Sequence, residues 1–346
     1  MGRNDTSRME SVHGFCIFSI VIIRIAVFSI IILMLSVINT SAQKKGVPSE
    51  EPKERARYNL QLKFPALVYN VYKFTEETKV SRTYSDSSKR DYYRKITYFF
   101  TQFAPDNPEK SFSKIRVSID SMLYYFKEGE SVLEFNSQDE SFPKKSFLDL
   151  MVASVVLGKE FEITYSPYGD IAKLGGESID ETIKFIYQFG PDKMDTLNKF
   201  FWMKGLSQQH LKYICDLSKG LIPQGKVYED SVWHSPFIFE LNGVDFIDTL
   251  NTKVISYSAG ICNVNGTAAN LTAYPQQARL YDIGELVNII NGKATGAYDI
   301  SFNVTGFIKE ASAHFKGNLV LMIKKERVDE NIQTDIKWEL LNKYKW

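Results

Sequence analysis

The sequence predicts an α+β protein that is mostly antiparallel β, with two curved, half-barrel-like sheets joined by a short helical block. Three observations carry this expectation. The chain holds 19 Tyr and 24 Phe, and many of them alternate with polar residues, the period of a half-buried strand. Clusters of Gly, Pro, Asn, Asp and Ser interrupt those stretches at a spacing that suits hairpins better than crossovers. Helical periodicity is concentrated in residues 178–220, just before a hinge over 221–233. There Pro223 and Gly225 break the helix, Asp230 and Ser231 form a turn, and Trp233 is a large anchor at the mouth of the next strand.

At 346 residues the chain has room for two domains of the usual size, about 150 residues each. The expected plan is a leader or anchor over 1–42, a charged tether over 43–57, an N-terminal β domain over 58–177, a helical connector over 178–220 and a C-terminal β domain over 221–346. Residues 15–38 are almost wholly apolar and long enough to span a bilayer as a helix. Arg24 interrupts them, at about 3 kcal/mol for a central Arg on insertion scales. The apolar run behind that charge, followed by Thr40, Ser41 and Ala42, matches a secretory leader cleaved between Ala42 and Gln43. Retention as a membrane anchor is the alternative reading, and the only expected contact with a membrane. The tether carries Pro48 and Pro52 and little apolar content.

Strands are then expected over 58–64, 68–84, 92–103, 115–126 and 132–135. An apolar helix is expected over 146–157, with Ser146 and Asp149 at capping spacing and Gly158 as its stop. A hairpin over 161–174 turns at Ser166-Pro167-Tyr168-Gly169-Asp170, where Gly169 supplies the conformational freedom of the turn. The helical block opens on a capping box, Ser178 with Glu181, and continues with helices over 192–204 and 207–219, stopped by Gly205 and Gly220. Beyond the hinge, strands are expected over 232–241, 246–257, 261–272, 277–283, 294–304, 307–315, 319–328 and 332–341. Thr305-Gly306 and Lys316-Gly317-Asn318 are the sharpest turn signals.

The chain carries 42 basic and 41 acidic residues, and cleavage after Ala42 leaves the two signs in balance. No field or basic, aromatic-interleaved groove draws nucleic acid. No catalytic residues are assigned: His210, His234 and His314 stand in no nucleophile motif, and Asp230, Ser231 and His234 read as a turn followed by an edge residue. No metal ligands or cofactors are expected, since histidines and cysteines lack ligand spacing and Gly158-Lys159 lacks a phosphate loop. Cys215 and Cys262 read as separate buried small hydrophobes, with a disulfide as the alternative. Asn265, Asn270 and Asn303 stand in N-x-Ser/Thr triplets, glycan acceptors only where the source cell performs that modification, and read otherwise as ordinary turn and strand residues. Neutral charge and scarce histidine argue for an apolar interior. The expected ligand cavity lies under the helix over 146–157, with Val152 and Val155 as its lining.

The order of features resembles an uncharacterised family of secreted Gram-negative envelope proteins. The positions that carry the likeness are Ala42-Gln43, Gly158-Lys159, Ser166-Pro167-Tyr168-Gly169, Pro223, Val227 and Trp233. Where that family shows Gly-Asp before its Trp, this chain has Glu229-Asp230-Ser231-Val232, so Asp230 must make the turn. The resemblance implies export to the periplasm or cell surface and a β-rich fold, and no chemistry. The function expected is therefore a non-catalytic envelope protein that binds an apolar or amphipathic ligand or an envelope partner. The alternatives are an adhesion protein that recognises glycan through exposed aromatics, and a hydrolase without a recognisable motif.

Leader cleavage sets the mature N-terminus at or near Gln43. N-terminal sequencing of the protein from the cell envelope checks this, and recovery of a chain that still carries residues 15–38 would establish the anchor instead.

Overall fold

A computed structural model describes residues 58–105, 112–139, 147–190, 194–303 and 307–345. The leader or anchor over 1–42, its junction at Ala42 and Gln43, the tether and the Thr305-Gly306 turn lie outside these described residues. Residues Arg55–Trp346 form one compact unit, mostly antiparallel β with four short helices among the described residues.

The first long strands are β2 (Val68–Tyr84), β3 (Lys89–Ala104) and β4 (Ser113–Glu128), preceded by a two-residue β1 (Tyr58–Asn59) and followed by β5 (Ser131–Asn136). Helix α1 (Leu148–Ser154) leads to the hairpin β6 (Glu160–Tyr165) and β7 (Ile171–Gly175). Helices α2 (Glu177–Gln188), α3 (Thr196–Gly205) and α4 (Gln208–Cys215) follow. The remaining strands are β8 (Lys226–Val227), β9 (Val232–Leu241), β10 (Val244–Ser258), β11 (Ile261–Ala273), β12 (Gln277–Arg279), β13 (Leu286–Asn303), β14 (Ile308–Ile323) and β15 (Glu326–Lys345).

The two sheets expected from sequence are one. A 13-stranded sheet runs β7-β6-β4-β3-β2-β15-β14-β13-β11-β10-β9, with β5 on β4 and β12 on β13, and β1 pairs β8 separately. The seam is the antiparallel pairing of β2 with β15, from Val68 opposite Lys345 to Tyr84 opposite Val328. Residues 58–177 and 221–346 thus share a sheet instead of meeting only at a helical connector. The sheet is also rolled. Three strands separate β9 from β14, which would place their side chains about 19 Å apart in a flat sheet. Yet the rings of Phe239 and Phe315 stack with centroids 3.6 Å apart.

The inner face of the roll is a continuous core. Phe74, Phe100, Phe315 and Trp338 are fully buried within it, and the helices dock by giving their terminal carbonyls to aromatic donors from the sheet. Beyond α4, Tyr298 OH donates to Leu217 O at 2.8 Å; at the helix ends themselves, Trp338 Nε1 donates to Ile214 O at 2.7 Å and Tyr98 OH to Ala153 O at 2.7 Å. Helix ends leave such carbonyls without intrahelical partners, so these bonds satisfy the helix and orient the ring at once.

Several sequence signals serve a purpose other than the one expected. Lys316-Gly317-Asn318 is not a turn: β14 runs through it, and the chain reverses at Lys324 and Lys325, with φ of 49° and 77°, as a two-residue hairpin turn requires. Gly317 is instead a close-approach residue, because a Cβ there would lie 3.0 Å from Ile332 and 3.3 Å from Leu241. The strand expected over 58–64 keeps only β1; Leu60, Leu62 and Phe64 are buried without a ladder. Helix α2 starts one residue before Ser178 and has no side-chain cap, so the Ser178 capping box does not form. Asp195 and Ser207 cap α3 and α4 instead, accepting from Asn198 N and His210 N. Gly169 at φ 81° and Asp230 at φ 68° both sit in turns.

Trp233 is not the main anchor. Its ring is half-buried and its Nε1 donates to Leu221 O at 3.1 Å, whereas Trp338, 0% exposed, lies between Phe74, Tyr298 and the end of α4. Trp338→Ala should therefore cost about 3–5 kcal/mol, as large aromatic core truncations do, and Trp233→Ala distinctly less. Urea denaturation midpoints at constant slope decide it. Equal losses would restore Trp233 as the anchor of the junction.

Candidate functional site

The inner face of the sheet is not apolar throughout. Along β2 the inward phase that carries Tyr72, Phe74 and Val80 also carries Glu76, Thr78 and Arg82, all buried. Register places two of these opposite polar residues on the neighbouring strands, Thr78 between Arg94 and Thr334 and Arg82 between Arg90 and Glu330, while Glu76 lies between Ile96 and Ile336. Two polar rows therefore cross the seam, with the apolar row Tyr92, Val80, Ile332 between them.

In the first row the Arg94 guanidinium pairs with Glu76 and, at 2.6 Å, with Asp149. Glu76 also accepts from Thr78 at 2.9 Å and Tyr213 at 2.8 Å, and Asp149 accepts from Tyr124 at 2.7 Å. Asp149, expected as a helix cap, is a buried ion-pair partner, and α1 has no side-chain cap. In the second row Arg82, 0% exposed, pairs with Glu330 and, at 2.5 Å, with Asp282. Arg90 joins it through Asp282 at 3.0 Å and also pairs with Glu128. Asn242 Nδ2 donates to Asp282 at 3.1 Å.

Between β2, β3, α1 and α4 lies a chamber of about 30 Å³ lined by Glu76, Arg94, Asp149, Val152, His210, Tyr213, Glu240, Asn242 and Tyr281 among others. Glu240 is held by Lys204 at 2.8 Å and by the Tyr281 hydroxyl. The cavity expected beside Val152 is thus polar and not apolar: Val152 borders a charged void too small for an acyl chain. Val155 is half-buried against the core, its side chain where a Cβ on Gly205 would be 2.4 Å away. The signal available in the sequence was phase, since Glu76, Arg82 and Glu330 alternate in step with core residues on their own strands.

Burial dominates the electrostatics. It would raise the Glu76 carboxyl, but Arg94, Tyr213 and Thr78 outweigh it and hold that group below the ordinary carboxylate range. For Asp149 and Glu330 burial prevails over their arginine partners and pushes the carboxyls up. His210, stacked on Tyr213, is lowered to about 4 by burial and is neutral at pH 7. His234 is exposed on β9, and His314 pairs with Asp335 on the outer face. Ser231 Oγ accepts from Tyr228 N, a turn contact. Cys215 and Cys262 are free buried thiols, both pushed up by burial, Cys262 to about 12. Among the described residues no three His, Cys, Asp or Glu side chains converge as a metal site.

The outward face differs. Strand β15 presents Asn331, Gln333, Asp335, Lys337 and Glu339 there, and β2 presents Lys73, Glu77 and Lys79, a surface suited to water. Half-exposed aromatic pairs stand among these charges on β2, β3 and β4. Tyr69 stacks on Phe103 at 4.2 Å, and Tyr93 meets Tyr125 edge to face at 5.9 Å. A groove of about 580 Å³ opens beside the second pair, lined by Tyr93, Lys95, Thr97, Leu123, Tyr125, Glu134, Asn136 and Asp139 among others. No helix among the described residues is long and apolar enough to cross a membrane.

The Glu76 environment gives stability a defined acid dependence. A carboxyl whose folded value is depressed contributes stability that is present above its unfolded value, about 4.3, and lost as pH falls through the folded value. Glu76→Gln should be less stable than wild type at neutral pH and lose less between pH 5 and the acid limit. Unfolding free energies measured across that range check it, and parallel curves would refute the role assigned to Glu76.

No protein-family model matches the chain, and no curated protein matches it. Among solved structures it is similar to lipovitellin, in a structure described by its lipid–protein interactions, with TM-score 0.42 and 12% identity over 82% of this chain and 26% of that one. It is also similar to Pseudomonas aeruginosa OpdQ, with TM-score 0.19 and 9% identity over 79% of this chain and 99% of that one. The likeness to Pseudomonas aeruginosa OccK5 has TM-score 0.24 and 9% identity over 78% and 98%. The chain thus spans about a quarter of the lipovitellin chain, and its functional reading rests on its own residues.

Proposed function

We propose that this chain is an exported, non-catalytic protein of the Gram-negative cell envelope that holds an amphipathic ligand of the glycan class on the outward face of a rolled, half-barrel-like α+β framework. The observation that carries the reading is the groove beside Tyr93 and Tyr125. Its floor of Tyr125 and Leu123 offers an apolar surface to the C–H face of a sugar. Glu134, Asn136 and Asp139 offer hydrogen-bond groups to its hydroxyls. Export is supported by the apolar run behind Arg24 and the small residues before Gln43, and the resemblance to secreted envelope proteins supports the location.

One observation favours a hydrolase, the convergence of His210 with Glu76, Asp149 and Glu240 around the inner chamber. Two facts weigh against it. Each of those carboxylates is already held by two or more donors. A chamber of 30 Å³ accommodates about two water molecules and no substrate. The same volume weighs against a lipid carried between sheet and helices.

A glycan array probed with the purified protein, alongside a hydrophobic fluorophore, tests the proposal. Retention of a glycan and at least a tenfold loss of affinity in Tyr125→Ala, with the denaturation midpoint kept, is the expected result. Binding of the fluorophore alone, or glycan binding indifferent to Tyr125, would overturn it.

A further inference from the structure

The residues that line the inner chamber carry more buried polar atoms than the protein itself satisfies. Arg94 Nε, a donor, Asn242 Oδ1, an acceptor, and His210 Nε2 are buried and have no hydrogen-bond partner among the described residues, and all three residues line the same space. Arg94 is 6% and Asn242 3% exposed, so bulk water does not reach them. A buried polar atom without a partner costs about 1–3 kcal/mol, and more where the group is charged. Three around one void would be a heavy burden on a fold of ordinary stability.

The vacant hydrogen-bonding positions define what fits. The carboxylates of Glu76, Asp149 and Glu240 are occupied by Arg94, Thr78, Tyr213, Tyr124, Lys204 and Tyr281. The atoms left with no partner at all are one donor, one acceptor and an imidazole nitrogen. That set does not hold a metal ion, but water, with two donors and two acceptor sites, matches it. The chamber volume of about 30 Å³ is room for about two water molecules, and a polar lining keeps such a space wet.

We propose that two structural water molecules occupy this chamber, one accepting from Arg94 Nε and linked to a second that reaches Asn242 Oδ1, with His210 Nε2 completing the chain. Asn242 donates in turn to Asp282, which binds Arg82. The water pair therefore connects the two polar rows, which lack a direct side-chain bond between Arg94 and Arg82. It makes them one hydrogen-bonded system across the seam.

A high-resolution crystal structure of the purified protein, with water relaxation dispersion in solution, tests the assignment. Two ordered peaks in the chamber are expected, and His210→Phe, which keeps the ring and removes Nε2, should lose at least one long-lived water. Asn242→Gly suits the left-handed backbone there, φ 49°, and by removing Oδ1 should shorten the residence time of the second water while the water on Arg94 Nε stays. A dry chamber in the wild-type crystal would overturn the proposal even if the His210 variant fails to fold. So would an anomalous peak after a thallium(I) soak, which would identify a monovalent cation in place of water.

Discussion

The pairing of β2 with β15 is the constraint on which the rest of the molecule depends. It joins strands from opposite ends of the described chain along almost their whole length and makes one sheet of two. It also sets the register that puts Thr78 between Arg94 and Thr334, and Arg82 between Arg90 and Glu330. A slip of one residue would turn every inward side chain of β15 outward. It would take Trp338 out of the core and remove Glu330 from Arg82, leaving a guanidinium buried without its partner. Register, core and charge rows are therefore a single commitment.

Much of the fold was legible because a strand's period is local. The limits expected for β2 and β9 agree with those observed, and β3, β4, β10 and β11 differ by a few residues at their ends. What could not be read was partnership. Ile332, Ile336 and Trp338 declare a buried face, but nothing in their alternation says that the face belongs to the sheet of Phe74. The misread turn at Gly317 has a related cause, since a glycine that admits the side chain of Ile332 looks the same in sequence as one that reverses the chain. The candidate sites divide along the same line. Tyr93 and Tyr125 come together only through strand pairing, and the polar rows were hidden by reading charge as a sign of exposure.

The interior and the exterior have opposite assignments. Inside, the charges form networks: Arg94 fixes α1 against the sheet through Asp149, and Glu76, its other partner, holds α4 through Tyr213, while Arg82 ties β2 to Glu330 of β15 and to Asp282 in the turn before β13. Replacing such groups with hydrocarbon is often neutral or stabilising in other proteins, so their presence argues for specificity of arrangement more than for added stability. Outside, the sheet offers water a charged surface over β15 and β2, with the aromatic pair Tyr93 and Tyr125 on the adjoining β3 and β4.

The seam also has a consequence in time. Strand β2 is complete early in the chain, yet its β15 neighbour is the last of the described strands, so one of its edges stays unpaired until nearly all of the described residues exist. Contacts between such distant segments must overcome the entropy of closing a long loop before they yield any stabilisation, which makes folding slow and leaves the open strand edge at risk of pairing with another chain. That order also means that the final sheet cannot close until β15 has been made.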